Sequence, residues 1–346
     1  MTLEDLKELS PVELEFISSY IYQLIKNRID EDTKNDENYN EPCECPHCKS
    51  KSFIKYGFNN GKQKYYCKNC SKYFVKTSNK FFEHSKTGYK SWKSFIAGEI
   101  MGLTLREQAP IIERSVSTCF YMRHKLYKAI EKINIEPKLK GLIEIDSQYI
   151  NINLKGTKPK NMPRNSKKRG RSHEMSGISH QKVCLVTAID EHDNMLFKVS
   201  GLGPETFDKY YKYRNRFESG STLVSDSNSS IANFAKSINC KHDIIRTSPI
   251  KKRYMSDNSN CLSQVNQLHK QLSDLLVKKN GISIRHLQNY LDWLLFVKKI
   301  KYTVRDKAYG SEAYMQCMNN TGYVKREVCK KPLPIDLREA YNSIKS

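Results

Sequence analysis

Nowhere in the 346 residues does an apolar run reach the roughly 20 positions that a membrane-spanning helix needs. The first segment reads as an acidic amphipathic helix rather than a signal peptide, so a cytoplasmic setting is expected. A secreted disulfide scaffold is excluded as well. The cysteines number 11, an odd count, and apart from two close pairs they are scattered singly. Acid is in short supply, with Asp+Glu 37 against Lys+Arg 59, a net charge of +22 and a pI near 9.4. That imbalance calls for a polyanionic partner. The hydrophobic share of 38% is low, yet it suffices for a folded chain with two or three cores.

Two stretches organise what remains. Leu142-Ile-Glu-Ile-Asp-Ser-Gln-Tyr-Ile150 and Thr222-Leu-Val-Ser-Asp226 have the apolar content of buried strands, and each carries an aspartate at or near its end. An ionised carboxylate there needs a partner or a cation. Asp146 and Asp226 on neighbouring strands could share divalent metal, as in-line displacement at phosphorus requires. Alternatively, each caps the turn that follows its strand.

The strongest local pattern is Cys45-Pro-His-Cys48, eighteen intervening residues, then Cys67-Lys-Asn-Cys70. A two-residue gap lets one tight turn offer two thiolates to one ion, and two such turns complete a tetrahedron, so structural zinc is expected. Short strands flank Asn59-Asn-Gly61, a hairpin signal, and the whole reads as a zinc ribbon. A redox pair does not require the second pair at this spacing. Cys43 and His47 are read as bystanders. Lys49, Lys51, Lys55, Lys62, Lys64, Lys68 and Lys72, interleaved with Tyr65, Tyr66 and Tyr73, suit contact with phosphates and sugars, or form an ordinary solvated surface.

Upstream, Ser10-Pro11-Val12-Glu13 is a capping signal within a helical segment at 1–29, and an acidic, Asn-rich linker follows. Downstream, Tyr89 to Met101 predicts a helix, Gly102 its end and Thr104 the next cap. Thr104–Glu113 and Ser117–Tyr127 then read as a helix-turn-helix whose second helix would offer Arg123, His124 and Lys125 to DNA, or as a plain helical hairpin. Lys155 to Arg171 carries eight basic residues and no acid, which points to a DNA-contacting loop including Lys167, Lys168, Arg169 and Arg171. The order three strands, a helix over about 204–216, strand, helix, strand, then long helices, the last over 283–300, suits an α/β ribonuclease H-like sheet, with its first and fourth strands adjacent. Asp190 and Asp193 read as turn residues. On the helix near 260–278, Asn266 and Ser273 edge the apolar face and His269 lies on it. Asn266 offers a neutral oxygen to a hard cation, and His269 orients a phosphate or a water; both could equally be hydrogen-bonded residues at a core margin.

The expected organisation is multidomain α+β: a helical segment and linker at 1–41, the ribbon at 42–78, the helix-turn-helix at 79–138, the catalytic sheet at 139–302 and a basic tail at 303–346, irregular until a short helix at 336–345. The succession CPHC…CKNC, helix-turn-helix, IEIDSQY, KKRGRS, KVCLVTAID, LVSD, VNQLH and GISIRHLQNYLDW resembles bacterial insertion-sequence transposases of the DDE type, in the group with an N-terminal zinc ribbon. The resemblance implies Asp146, Asp226 and Asn266 as ligands of Mg²⁺ or Mn²⁺; His269 stands beside them on the same helix, and Lys270 could reach the DNA backbone in place of the lysine that relatives carry where this chain has Ser273. The resemblance also implies binding of terminal inverted repeats and target DNA, cleavage and strand transfer, oligomeric assembly on DNA, and association with the nucleoid when DNA is bound. Ser147, Ser227 and Ser273 depart from the pattern, where relatives tend to carry an acid, a glycine and a lysine. The alternative is an inactive, transposase-derived DNA-binding or regulatory protein.

Overall fold

The computed structural model describes residues 44–131, 137–157, 177–245, 262–303 and 309–320, with scattered positions at 9–42 and 322–337. The chain divides into two compact units, one of residues 1–122 and 318–324, the other of 123–317 and 325–346.

In the first unit, β1 (Phe53–Asn59), β2 (Lys62–Cys67) and β3 (Tyr73–Val75) form an antiparallel sheet in that order. Asn60 and Gly61 both take positive φ, as the predicted hairpin demands. Alternation along the strands sends Phe53, Tyr65 and Phe74 inward, where they pack beside the cysteines. Helix α1 (Tyr89–Ile100) buries Trp92, Phe95 and Ile96, and Trp92 contacts Phe81 and Phe82. Gly102 ends α1 in the left-handed region. Thr104 then caps α2 (Leu105–Ile111) with a reciprocal box: its hydroxyl takes the Glu107 amide, and the Glu107 carboxylate takes the Thr104 amide. Helix α3 (Val116–Ile130) begins at Ser115, whose Oγ accepts from Thr118 N. Far upstream, Ser10 and Glu13 exchange the same reciprocal bonds; most of the predicted first helix lies outside the described residues.

The second unit is built on a five-stranded sheet. Strands β4 (Leu142–Asn151), β5 (Lys182–Asp190) and β6 (Met195–Leu202) are followed by β7 (Thr222–Ser225) and β8 (Lys241–Ile244), and their spatial order is β6-β5-β4-β7-β8. The pairs β4–β5 and β5–β6 are antiparallel, β4–β7 and β7–β8 parallel. The predicted adjacency of first and fourth strands is therefore observed. One face packs on α4 (Phe207–Tyr211) and α5 (Ser229–Ser237) through Ile143, Ile145, Val186, Leu223, Tyr210, Ile231 and Phe234. Helix α6 (Ser263–Lys278) runs over the sheet beside β4 and β5, and α7 (Leu287–Thr303) beside β6. Asp190 closes the β5–β6 turn, its carboxylate accepting from the amides of Lys140, His192 and Asn194, as a turn residue should.

Three sequence readings need correction. The helix expected over 204–216 is shorter: Thr206 is extended, α4 starts at Phe207, and only a 3₁₀ turn at Arg214–Arg216 continues it. The last sheet helix starts four residues late because Ser283 to His286 form a turn, His286 N bonding to Ser283 O. The tail, read as irregular before 336, contains α8 (Tyr309–Asn319), with Ala313 and Cys317 buried. The short helix predicted at 336–345 lies almost wholly outside the described residues.

Candidate active site and metal centre

In the ribbon, each C-x-x-C pair sits on a turn closed by an amide-to-carbonyl bond from the residue after the second cysteine. Lys49 N bonds to Cys45 O and Ser71 N to Cys67 O, with φ of 64° and 55°. All four sulfurs lie within 4.8 Å of one another, at 3.7 Å for Cys45–Cys70 and 3.6 Å for Cys48–Cys67. Sulfurs bound about 2.3 Å from a tetrahedral zinc stand roughly 3.8 Å apart, so the donor set fits that ion. The backbone amide of Ser50 draws Cys48 down to about 6, while burial drives Cys70 up to about 12. Burial thus keeps Cys70 a thiol at neutral pH unless a cation displaces its proton.

On the sheet, β4 alternates. Ile143 and Ile145 enter the apolar core, while Glu144, Asp146 and Gln148 face α6. These three side chains fix the helix at three levels. Glu144 Oε2 accepts the amides of Gln264 and Val265 at 2.9 and 3.0 Å. Asp146 Oδ2 stands 3.9 Å from His269 Nδ1. Gln148 Nε2 donates to His269 O and to Ser273 Oγ. The far nitrogen of His269 meets Thr187 Oγ1 at 2.9 Å, and Thr187 pairs with Asp146 in the β4–β5 register. Burial pushes His269 down to about 4, so at neutral pH it is an uncharged neighbour of Asp146.

Along β4 and β7 each residue pairs with one eighty positions later, Leu142 with Thr222, Ile143 with Leu223 and Glu144 with Val224. Asp226 follows directly on the last residue of β7, close enough for its charge to act on Asp146. Burial raises the Asp146 carboxyl to about 6; the Ser147 amide, at 2.7 Å, opposes this, and the charges of Asp226 and Glu205 add to it. Asp226 is exposed and also accepts Asn228 N at 3.2 Å, so the turn-capping role coexists with its place beside Asp146.

Glu205 is the residue that sequence reasoning missed. It follows β6 on a loop whose carbonyls, at Leu202, Gly203 and Pro204, all accept from Lys209 Nζ. Its carboxylate takes hydrogen bonds from Tyr210 Oη and Asn228 Nδ2, and its amide donates to Tyr149 Oη at 3.0 Å. Tyr210 in turn meets Ser147 Oγ at 2.8 Å. The acid thereby links the flanks of both aspartates. One usable signal pointed to it: an acid in a Gly-Pro-Glu turn directly after a strand of the same sheet.

Asn266 lies one turn before His269 on α6, exposed, and its side chain makes no hydrogen bond among the described residues. Lys270 is exposed on the same helix. Among the described residues no trio of His, Asp or Glu closes to within 4.8 Å; the four cysteines alone do so. The oxygen donors are of the right kind for Mg²⁺ or Mn²⁺, and two of them, Asp146 and Asp226, are near enough for their charges to interact. Arg123 and His124, expected to reach DNA, are 2% and 0% exposed. His124 stacks on His286 at 4.0 Å and Arg123 lies over the Tyr290 ring, because this half of α3 is apolar on most sides and packs inward. Lys125 is half-buried. Lys167, Lys168, Arg169 and Arg171 lie outside the described residues.

Residues 138–297 match the family model of the ISXO2-like transposase domain. An uncharacterised protein in transposable element ISH50 of Halobacterium salinarum is 30% identical over 113 residues, which is 32% of this chain and 38% of that protein. The chain therefore spans well under half the length of that relative. Among solved structures, a pre-cleavage Mos1 transpososome is similar at a TM-score of 0.25 and 11% identity, over 67% of this chain and 77% of that one. A Mos1 transposase paired-end complex with left transposon end is similar at 0.26 and 11%, over 66% and 80%. Among the described residues no helix is long and apolar enough to cross a membrane. The family match over the five-stranded sheet, with the insertion-sequence relative beside it, places residues 138–297 among the insertion-sequence transposases of the DDE type.

Proposed function

We propose that the chain is an active transposase that binds the ends of its element, cleaves there and joins the ends to target DNA on a ribonuclease H-like sheet. The observation that carries this is the nearness of Asp146 on β4 to Asp226, one residue past the end of the adjacent parallel strand β7, inside the segment matched to a transposase domain. Divalent Mg²⁺ or Mn²⁺, when bound, would supply a nucleophile at neutral pH and neutralise charge at the phosphorus. Asp146 and Asp226 would hold it, with the Asn266 amide oxygen as third donor. His269 would orient the Asp146 carboxylate, and Glu144 and Gln148 would keep α6 in register with β4. Lys270 and the basic run at 155–171 would hold the DNA backbone. End recognition falls to the ribbon and to the exposed start of α3, Arg114 to Ser117, rather than to Arg123 and His124. Because two ends must meet, the working form is an oligomer on DNA.

One observation favours a second reading, a DNA-binding protein without strand transfer: Asn266 is exposed, and among the described residues no third acid or imidazole closes on both aspartates together. Oligonucleotides bearing the terminal inverted repeats separate the two. Mg²⁺-dependent cleavage and joining by the wild type, abolished in Asp146→Ala, supports the transposase. Specific binding with no joining even in Mn²⁺ supports the second reading.

A further inference from the structure

The outer face of the ribbon sheet carries chemistry that the carboxylate site does not use. Inward-facing Phe53, Tyr65 and Phe74 make the core, so their strand neighbours Ile54, Tyr56, Tyr66 and Tyr73 share the opposite face. Tyr56, Tyr66 and Tyr73 form a closed group, with ring centroids 5.0 to 6.0 Å apart. They are not hidden: Tyr56 is 51% exposed, Tyr73 46% and Ile54 43%. Lys64 Nζ rests 3.9 Å from the Tyr73 centroid and 5.6 Å from that of Tyr56. Between residues 44 and 78 stand eight lysines and one acid, Glu44, which Lys49 already engages at 2.8 Å.

Charge of that sign selects a polyanion, and a cluster of exposed rings selects one with accessible flat faces. Duplex DNA has the first property but keeps its base faces stacked inside, whereas an unpaired strand offers both. A protein partner would be drawn by the rings, yet nothing in the lysine excess would favour it unless it were strongly acidic. We infer that this face is a stacking platform for an unpaired nucleic-acid strand. Bases lie on Tyr56 and Tyr73, Lys64 moves from the ring to a phosphate, and Lys51, Lys62 and Lys72 follow the backbone.

The inference stands apart from the catalytic reading, since Asp146→Ala should leave it intact. The test uses the full-length, zinc-loaded chain and fluorescence anisotropy, with a labelled mixed-sequence DNA strand and the same strand annealed to its complement. The double variant Tyr56→Ala/Tyr73→Ala should weaken single-strand binding by about thirty-fold or more and duplex binding by less than about two-fold. Tyr56→Phe/Tyr73→Phe should retain single-strand affinity, because stacking needs the ring and not the hydroxyl. Cobalt substitution, read from thiolate charge-transfer absorbance, checks that each variant still folds its ribbon. If the alanine variant fails that check, retention by the phenylalanine variant, together with loss in single variants that do load cobalt, decides the matter. Equal loss on both probes, or no loss on either, would overturn the platform. So would a change confined to self-association in sedimentation, which would mark the face as a contact between copies.

Discussion

Glu144 on β4 caps the helix that begins beside it, its carboxylate accepting the Val265 amide at 3.0 Å from 121 residues away. Leu262, at the N-cap position of α6, has no side chain able to do this. A strand acid therefore closes the helix start, where its charge also meets the positive end of the helix dipole. Glu144→Ala should cost about 1–2 kcal/mol in urea denaturation. Glu144→Gln should recover most of that, because burial holds the Glu144 carboxyl above its ordinary value and a neutral acceptor avoids the desolvation cost. Full-sized loss with glutamine would show that charge, not the acceptor oxygen, is what α6 requires.

Glu205 touches the flanks of both aspartates through Asn228 and through Tyr210 and Ser147. In Glu205→Ala these groups lose their acceptor while the apolar core stays. The expected result is a roughly 10–100-fold loss of Mg²⁺ affinity or strand transfer, with a smaller Mg²⁺-induced rise in Tm. An unchanged Tm response to Mg²⁺ would confine Glu205 to holding its loop.

Acid should destabilise the second unit through its stacked imidazoles. Burial depresses His124 to about 2 and His286 to about 4, well under the ordinary 6.5. The unfolded chain then takes up protons that the folded one refuses. Stability is full above pH 6.5 and falls below it by about 1.4 kcal/mol per pH unit for each histidine, until the folded values are reached. Asp146 works the other way, since its raised carboxyl adds stability as pH falls through about 6. The histidine share is isolated by comparing Tm against pH for wild type and His286→Phe. The variant should hold its Tm further into acid, and parallel curves would refute the assignment.

Removing zinc should unfold the ribbon while sparing the five-stranded sheet. The ribbon core consists of Tyr65, Phe74 and two of the cysteines, with a few half-buried neighbours, too little apolar area to hold three short strands alone. One zinc per chain by mass spectrometry, and loss of the ribbon's amide protection on chelation, is the expected outcome. Cys48→Ser should behave as the chelated wild type does.

Periodicity and spacing carried much of this structure. The cysteine pairs, the Thr104 cap, the strand order and the adjacency of β4 and β7 were legible because each rests on short-range chemistry or on alternation along one element. Arg123 and His124 misled for a physical reason. Charged residues on a predicted helix suggest solvent, but here the helix is enclosed, and stacking on His286 and Tyr290 decides their fate. Glu205 stayed hidden because its significance arises from partners 5, 23 and 56 residues away, on other elements. Asn266 lies on the predicted helix and is exposed there, yet periodicity could not say whether its amide would close on the aspartates.

The eighty-residue offset between β4 and β7 carries one last implication. Slippage of either strand by a single position would carry its acid through the sheet to the greasy side, whereas the length of chain joining the strands is free to vary. Assembly of the acidic pair is thus inseparable from the long-distance pairing of β4 with β7. A chain in which those strands have not paired holds the two acids apart.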